Sequence, residues 1–193
     1  MPVSRATSFI WRFTRYYIRL IRSPILIYLF IYFFSYFIFF SALIVTIRSD
    51  IETMLISRYA TIFLAPIGIV LSMHGLLPIS LRESISGALF GYLFLFCINY
   101  MFRYLRQIDG IGEGDFDLLL FIGSFTGIVG CWISITIGSL LGSVYGIISL
   151  LLHNNKNFEH FQYTKIPFGP FLAFGALIFV FIQTQTYSYF LLY

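Results

Sequence analysis

Residues 25–47 most restrict the fold, because this run has no charged side chain and is long enough to cross a bilayer as a helix. Backbone groups in hydrocarbon must find their hydrogen bonds within the protein, and a helix meets this need within one segment. The whole chain is 59% hydrophobic and only 10% charged, which is too little charge to cover a soluble domain of this size. The sequence therefore predicts an all-α membrane protein.

Six transmembrane helices are predicted from the order of the apolar segments. The region 116–153 is too long for one span, and its glycines at positions 123, 127 and 130 predict a break between a short helix and a longer one. The predicted helices cover residues 25–47, 60–79, 84–102, 115–127, 129–152 and 166–190.

An amphipathic helix is predicted before the first span. Five arginines recur there at helical spacing and share one face, while aromatic and aliphatic residues cover the rest; they are Arg5, Arg12, Arg15, Arg19 and Arg22. Such a helix lies in the headgroup layer of the bilayer. We therefore divide the chain into an interfacial helix, residues 1–23, and a membrane domain, residues 24–193. The net charge of +4 indicates contact with anionic lipid rather than with nucleic acid.

The two cysteines predict neither a disulfide nor a metal site. Cys97 and Cys131 lie far apart in separate apolar runs and lack the spacing of metal ligands. We expect small core residues at both positions and no cofactor.

The stretch 110–119 concentrates glycines and acids in an otherwise apolar chain. Gly110, Gly112 and Gly114 alternate with other residues and lead directly into Asp115. Apolar residues follow, so Asp115 is predicted at the mouth of a membrane helix, where a carboxylate is costly and usually functional. The glycines predict a backbone that packs closely and takes unusual dihedral angles.

Topology offers a second carboxylate for Asp115. Asp50 ends the first span and Asp115 begins the fourth, so two crossings separate them and both are predicted at one membrane face, with Glu83 at the opposite face. When two carboxyl groups are held in contact, one keeps its proton near neutral pH. The ionised member then draws a proton from water and the protonated member polarises a peptide carbonyl, which hydrolyses an amide without a covalent intermediate.

Three blocks of the chain resemble the type IV prepilin peptidase family of intramembrane aspartic proteases. They are residues 50–56, residues 110–119 with the pattern G-x-G-x-G-D, and residues 166–173, where a helix begins with Pro167, Gly169 and Pro170. The resemblance implies that Asp50 and Asp115 are the catalytic pair. It also implies an active-site frame around them, formed by Gly110, Gly112, Gly114, Glu52, Asp117 and Arg58.

The resemblance implies a function and a location. The substrates would be type IV prepilins or type II secretion pseudopilins, cleaved between a basic leader and the hydrophobic pilin helix at the cytoplasmic face of the bacterial inner membrane. The Cys-x-x-Cys region that accompanies N-methylation in many members is not found in this sequence, so no methyl transfer is expected. Lys and Arg divide six and six between the predicted faces, so the orientation rests on the resemblance.

Two departures from the family keep other functions open. Ser57-Arg58 stands where the family usually has Pro-Asp, and Asp117 stands where it usually has lysine. These changes favour one alternative, a catalytically reduced or inactive membrane assembly subunit. A small proton-coupled transporter is a third possibility, because acids in membrane helices often carry ions, although no internal repeat supports it.

Overall fold

The computed structural model describes residues 24–53, 58–107, 112–152 and 167–192, and every regular element in these ranges is an α-helix. The helices, in chain order, are α1 (Pro24–Thr53), α2 (Arg58–Met73), α3 (Leu81–Arg106), α4 (Glu113–Leu152) and α5 (Gly169–Leu192). The all-α prediction is confirmed for this part of the chain. The interfacial helix predicted over residues 1–23 lies outside the described residues.

Three segments in the described ranges are long and apolar enough to cross a membrane: Phe33–Glu52, Leu81–Leu105 and Glu113–Ser149. Thr61–Met73 and Gly169–Thr184 are shorter apolar helices. An integral membrane protein accounts for these segments, whereas the count of six transmembrane helices stays a prediction.

Helix α4 contains a break at Gly127, one of the three glycines that predicted it. This residue has φ 73° and ψ −172°, a backbone conformation outside the helical region, while the residues on both sides are helical. Only glycine adopts this conformation without strain, because a Cβ atom would collide with the main chain.

Three helix ends differ from those predicted, because hydropathy reports the apolar span and not the helix itself. Helix α1 continues through Asp50 to Thr53, and α2 ends at Met73 rather than at residue 79. Helix α3 begins at Leu81 rather than at residue 84, so Arg82 and Glu83 lie in its first turn. There the Ser80 side chain accepts from the Glu83 amide and the Glu83 side chain accepts from the Ser80 amide, a capping box that starts the helix.

Helix α4 is the centre of the bundle, and small residues let α3 approach it closely. A Cβ added to Gly87 would meet the Gly123 carbonyl oxygen at 2.5 Å, and one added to Gly91 would meet the Leu119 oxygen at 2.5 Å. The buried Ser84 hydroxyl donates to the Ser124 carbonyl at 2.6 Å. Van der Waals contact and interhelical hydrogen bonds of this kind hold membrane helices together, because lipid removes the hydrophobic driving force between them.

The remaining helices also pack on α4. Phe39 of α1 places its ring 5.3 Å from that of Phe121 and 5.1 Å from that of Phe125. Gly175 of α5 lies directly against the Ser134 main chain. These contacts fix α1 and α5 around α4 and so bring the end of α1 near the beginnings of α4 and α5.

Candidate active site

Asp50 lies on the buried face of α1, in its last turn but one. The face runs through Phe39, Leu43, Thr46 and Asp50, whose side chains are exposed by 0%, 0%, 3% and 5%. Their spacing of four, three and four residues places them in one stripe along a helix. The stripe is apolar where it crosses the membrane interior and ends in a carboxylate, so the packing of α1 directs Asp50 into the bundle.

The Asp50 carboxylate is held by the first residue of α5. Its Oδ2 atom accepts a hydrogen bond from the main-chain N–H of Gly169 at 3.1 Å. The first amides of a helix have no partner within the helix and carry the positive end of its dipole, so they favour a carboxylate. The contact joins two residues that are 119 positions apart in sequence.

Asp115 lies in the first turn of α4 and is 7% exposed. Its amide donates to the Gly112 carbonyl at 3.1 Å, which closes the first turn of the helix. The carboxyl group folds back toward the same residue, since a Cβ added to Gly112 would lie 3.5 Å from Asp115 Oδ2. Asp115 is therefore buried at a helix beginning, as the glycine–acid stretch predicted for this residue.

The structure brings Asp50 and Asp115 together at one end of the bundle. Asp50 is the residue whose charge acts on the Asp115 carboxyl, so the two side chains are near enough to repel each other when both are ionised. They come from α1 and α4, with the beginning of α5 beside them. Two buried carboxyl groups that lie close to each other at one end of the bundle are a candidate general acid–base pair.

The charged residues of the predicted frame, Asp117, Glu52 and Arg58, do not lie in one common environment. Asp117 is buried at 2% exposure, two residues beyond Asp115. Glu52 instead faces outward and pairs with Arg48, with Arg48 Nε 2.8 Å from Glu52 Oε1 and both side chains largely exposed. Arg58 is the first residue of α2, but its side chain lies outside the described residues.

Gly112 of the motif does not serve the purpose predicted for it. Gly112 is exposed, and a Cβ there would make only the ordinary contact with Asp115. Neither Gly112 nor Gly114 is among the described residues with positive φ, which are Gly75, Gln107 and Gly127. Gly110 lies outside the described residues. At Gly112 the expectation of close packing and unusual dihedral angles is therefore wrong, because close contact with α3 begins further along α4, at Leu119 and Gly123.

The third block supplies a contact that its motif did not reveal. Pro167 precedes α5 and Pro170 is its second residue, while Gly169 between them is buried and bonded to Asp50. The motif marked the helix beginning, but no spacing in the sequence links a main-chain amide to a carboxylate on a distant helix. In the described part of the chain no group of three or more His, Cys, Asp or Glu side chains is placed to hold a metal ion.

Comparison with known proteins adds an independent finding. Residues 37–147, which include both buried aspartates of the pair, match a family described as the type IV leader peptidase family. Three similar proteins share the name prepilin leader peptidase/N-methyltransferase. One from Burkholderia pseudomallei is 33% identical over 147 residues, 76% of this chain and 46% of that protein. One from Pseudomonas aeruginosa is 36% identical over 112 residues, which are 58% of this chain and 37% of that protein.

The third, from Aeromonas salmonicida, is 35% identical over 130 residues, 67% of this chain and 42% of that protein. In each case the matched region is less than half the length of the relative. No solved structure matches this chain.

Proposed function

The chain belongs to the type IV leader peptidase family, and from this membership we propose that it is a membrane aspartic endopeptidase that removes the leader from type IV prepilins or type II secretion pseudopilins. The observation that carries the proposal is the meeting of Asp50 and Asp115, two buried carboxyl groups from separate helices at one end of the bundle. The relatives' names supply prepilins as the substrate class, and the resemblance extends it to pseudopilins.

The proposed reaction uses the two carboxyl groups as a general acid–base pair. The ionised aspartate takes a proton from water while the water oxygen adds to the peptide carbonyl carbon, and the protonated aspartate gives its proton to the carbonyl oxygen. In the second half, the proton first taken from water passes to the leaving nitrogen. The other aspartate recovers its proton from one hydroxyl as the C–N bond breaks and the carbonyl re-forms. Both residues return to their starting states.

The depth of the pair suits a substrate that is half in lipid and half in water. Asp50 lies near the end of the apolar segment Phe33–Glu52, and Asp115 near the start of Glu113–Ser149. A pilin precursor presents a basic leader to water and an apolar helix to the bilayer, so the bond between them lies at the membrane surface. We propose that the pair cleaves that bond at the cytoplasmic face of the inner membrane.

Peptidase activity alone is proposed for this sequence. The relatives' name also includes N-methyltransferase, but the present chain matches less than half of their length. Its two cysteines are Cys97 in α3 and Cys131 in α4, so the sequence contains no Cys-x-x-Cys pair of the kind that accompanies methyl transfer.

The test is removal of the leader from a prepilin encoded in the same genome, followed on a gel after co-expression. We expect the parent chain to shorten the precursor, and Asp50→Asn and Asp115→Asn to abolish shortening at unchanged membrane levels. Each substitution keeps the side-chain shape and removes the acid. Glu52→Gln is the matched control, because this acid is two residues from Asp50 but exposed, and we expect cleavage to continue. Undiminished cleavage by either aspartate variant would exclude the pair.

A non-catalytic assembly subunit is the second candidate. Asp117 favours it, because a third carboxyl group is buried at 2% exposure close in sequence to the pair. An aspartate stands here where the family usually has lysine, so the residue type departs from that of the peptidases that the chain resembles. This candidate predicts no shortening of a confirmed cognate prepilin by the parent chain, together with shortening by an established peptidase in the same assay.

A further inference from the structure

Gly169 is the one residue outside α1 and α4 whose hydrogen bond to the proposed catalytic pair is seen in the described part of the chain. Its main-chain N–H lies 3.1 Å from Asp50 Oδ2. Two polar side chains near Asp50 in α1, those of Thr46 and Arg48, are engaged elsewhere. The Thr46 hydroxyl donates to the Ala42 carbonyl at 2.8 Å, and Arg48 pairs with Glu52. The carboxylate is therefore oriented from α5 and not from its own helix.

The beginning of α5 is built so that this amide remains available. The Phe168 carbonyl accepts from the amides of Phe171 at 3.1 Å and Leu172 at 3.2 Å, which makes Phe168 the residue that caps the helix. Pro170 has no N–H to offer. Gly169 is thus the first helical residue, and its N–H is an unpaired amide of the first turn that finds its acceptor on another helix.

We infer that the main-chain amide of Gly169 holds the Asp50 carboxylate in its reactive orientation, which makes Gly169 a positioning residue contributed by α5. The inference rests on the proposed function. With Oδ2 bound to the amide, Oδ1 has no hydrogen bond to the described residues and is the atom left to exchange a proton with water. Holding a reacting group in one orientation contributes to the rate of the chemical step and little to the binding of substrate.

The variant that removes this amide is Gly169→Pro. Proline is favoured at the first position of a helix, where its fixed φ suits the backbone, so the change is compatible with the start of α5. Its ring takes the place of the donated hydrogen and displaces Oδ2. Loss of a hydrogen bond to a charged group predicts that kcat for prepilin cleavage falls about ten- to a hundredfold, with KM little changed.

Two further variants separate loss of the amide from other effects. Gly169→Ala keeps the N–H, and we expect its kcat to lie well above that of Gly169→Pro. Leu81→Pro places the same ring at the first residue of α3, after an extended Ser80 with ψ 159°, and far from the pair. We expect Leu81→Pro to cleave at the parent rate, because no hydrogen bond to Asp50 or Asp115 is changed.

The measurement is prepilin cleavage by purified full-length chain in lipid nanodiscs, with kcat and KM determined separately. Parent-like kcat in Gly169→Pro, or equal loss in Gly169→Ala, would overturn the positioning role. If Gly169→Pro does not accumulate, cell-free translation with glycolic acid at position 169 gives a backbone ester in which oxygen replaces the N–H and the Phe168 carbonyl is a weaker acceptor. The same two outcomes for kcat then test the positioning role. Asp50→Asn in the same assay distinguishes the two proposals. If Asp50→Asn still cleaves the prepilin, the proposed function is excluded. If Asp50→Asn is inactive but Gly169→Pro cleaves at the parent rate, only the positioning role of Gly169 is excluded.

Discussion

At the scale of single residues, burial separates acids that the sequence places side by side. Asp50 and Glu52 are two positions apart, which on a helix turns their side chains about 200° away from each other. Asp50 faces the bundle and Glu52 faces outward to Arg48. The buried stripe from Phe39 to Asp50 follows a helical periodicity in the sequence, and the order of the membrane crossings had already selected its last member as the partner of Asp115. Glu52 was included in the predicted frame because it belongs to the block of residues 50–56 that resembles the peptidase family.

This difference in burial predicts opposite effects on stability. Asp115→Asn removes a carboxyl group that ionises freely in the unfolded chain, whereas burial and then the charge of Asp50 disfavour its ionisation in the fold, so we expect the free energy of unfolding to rise by about 1 kcal/mol, with a higher thermal midpoint. Glu52→Gln breaks an exposed pair and should change the free energy by less than about 0.5 kcal/mol. Thermal unfolding of the three proteins in one detergent measures both. A fall in the midpoint of Asp115→Asn would show that Asp115 stabilises the fold instead of straining it.

At the scale of elements, the break in α4 shows what a glycine-rich segment does and does not specify. The sequence predicted an interruption from Gly123, Gly127 and Gly130, with one helix ending at residue 127 and the next beginning at residue 129. The structure assigns them different tasks: Gly123 lies against the main chain of Gly87, Gly130 lies against the Thr126 side chain, and only Gly127 has positive φ. Each task requires glycine for a separate physical reason, so residue type alone does not distinguish them.

Gly127→Ala is expected to destabilise the protein by about 1–3 kcal/mol through backbone strain. An added Cβ would meet its nearest neighbour, the Glu83 carbonyl oxygen, at 3.6 Å, so steric crowding contributes little. The loss of stability therefore comes from holding alanine at φ 73°. Gly142→Ala is the matched control. Its Cβ would meet the Phe171 ring at 3.6 Å in ordinary helix, and alanine gains up to about 1 kcal/mol of helix propensity there. Equal midpoints for the two variants in thermal unfolding would contradict the assignment of the break to Gly127.

At the scale of the whole molecule, hydropathy predicts the helices well because a membrane helix needs an uninterrupted apolar run. It misplaces their ends, since charged residues such as Asp50 and Glu83 continue a helix wherever a bonded partner compensates them. The contact between Asp50 and Gly169 was beyond prediction for another reason. It depends on how α1 and α5 pack around α4, and no local pattern encodes a pairing across 119 residues.

The order in which the helices cross the membrane predicts which loops lie on which side. Helices α2 and α3 lie between Asp50 and Asp115, so the loop that joins them, with exposed His74, belongs at the membrane face opposite to exposed Glu52. In a bacterial inner membrane, a membrane-impermeant maleimide should label His74→Cys in spheroplasts and Glu52→Cys only in inverted vesicles. The parent chain, whose two thiols lie within α3 and α4, sets the background. The reverse pattern would move the site to the periplasmic face. Labelling of both positions from one side would show that α2 does not cross, and the topological argument that brings the two aspartates to one face would fail with it.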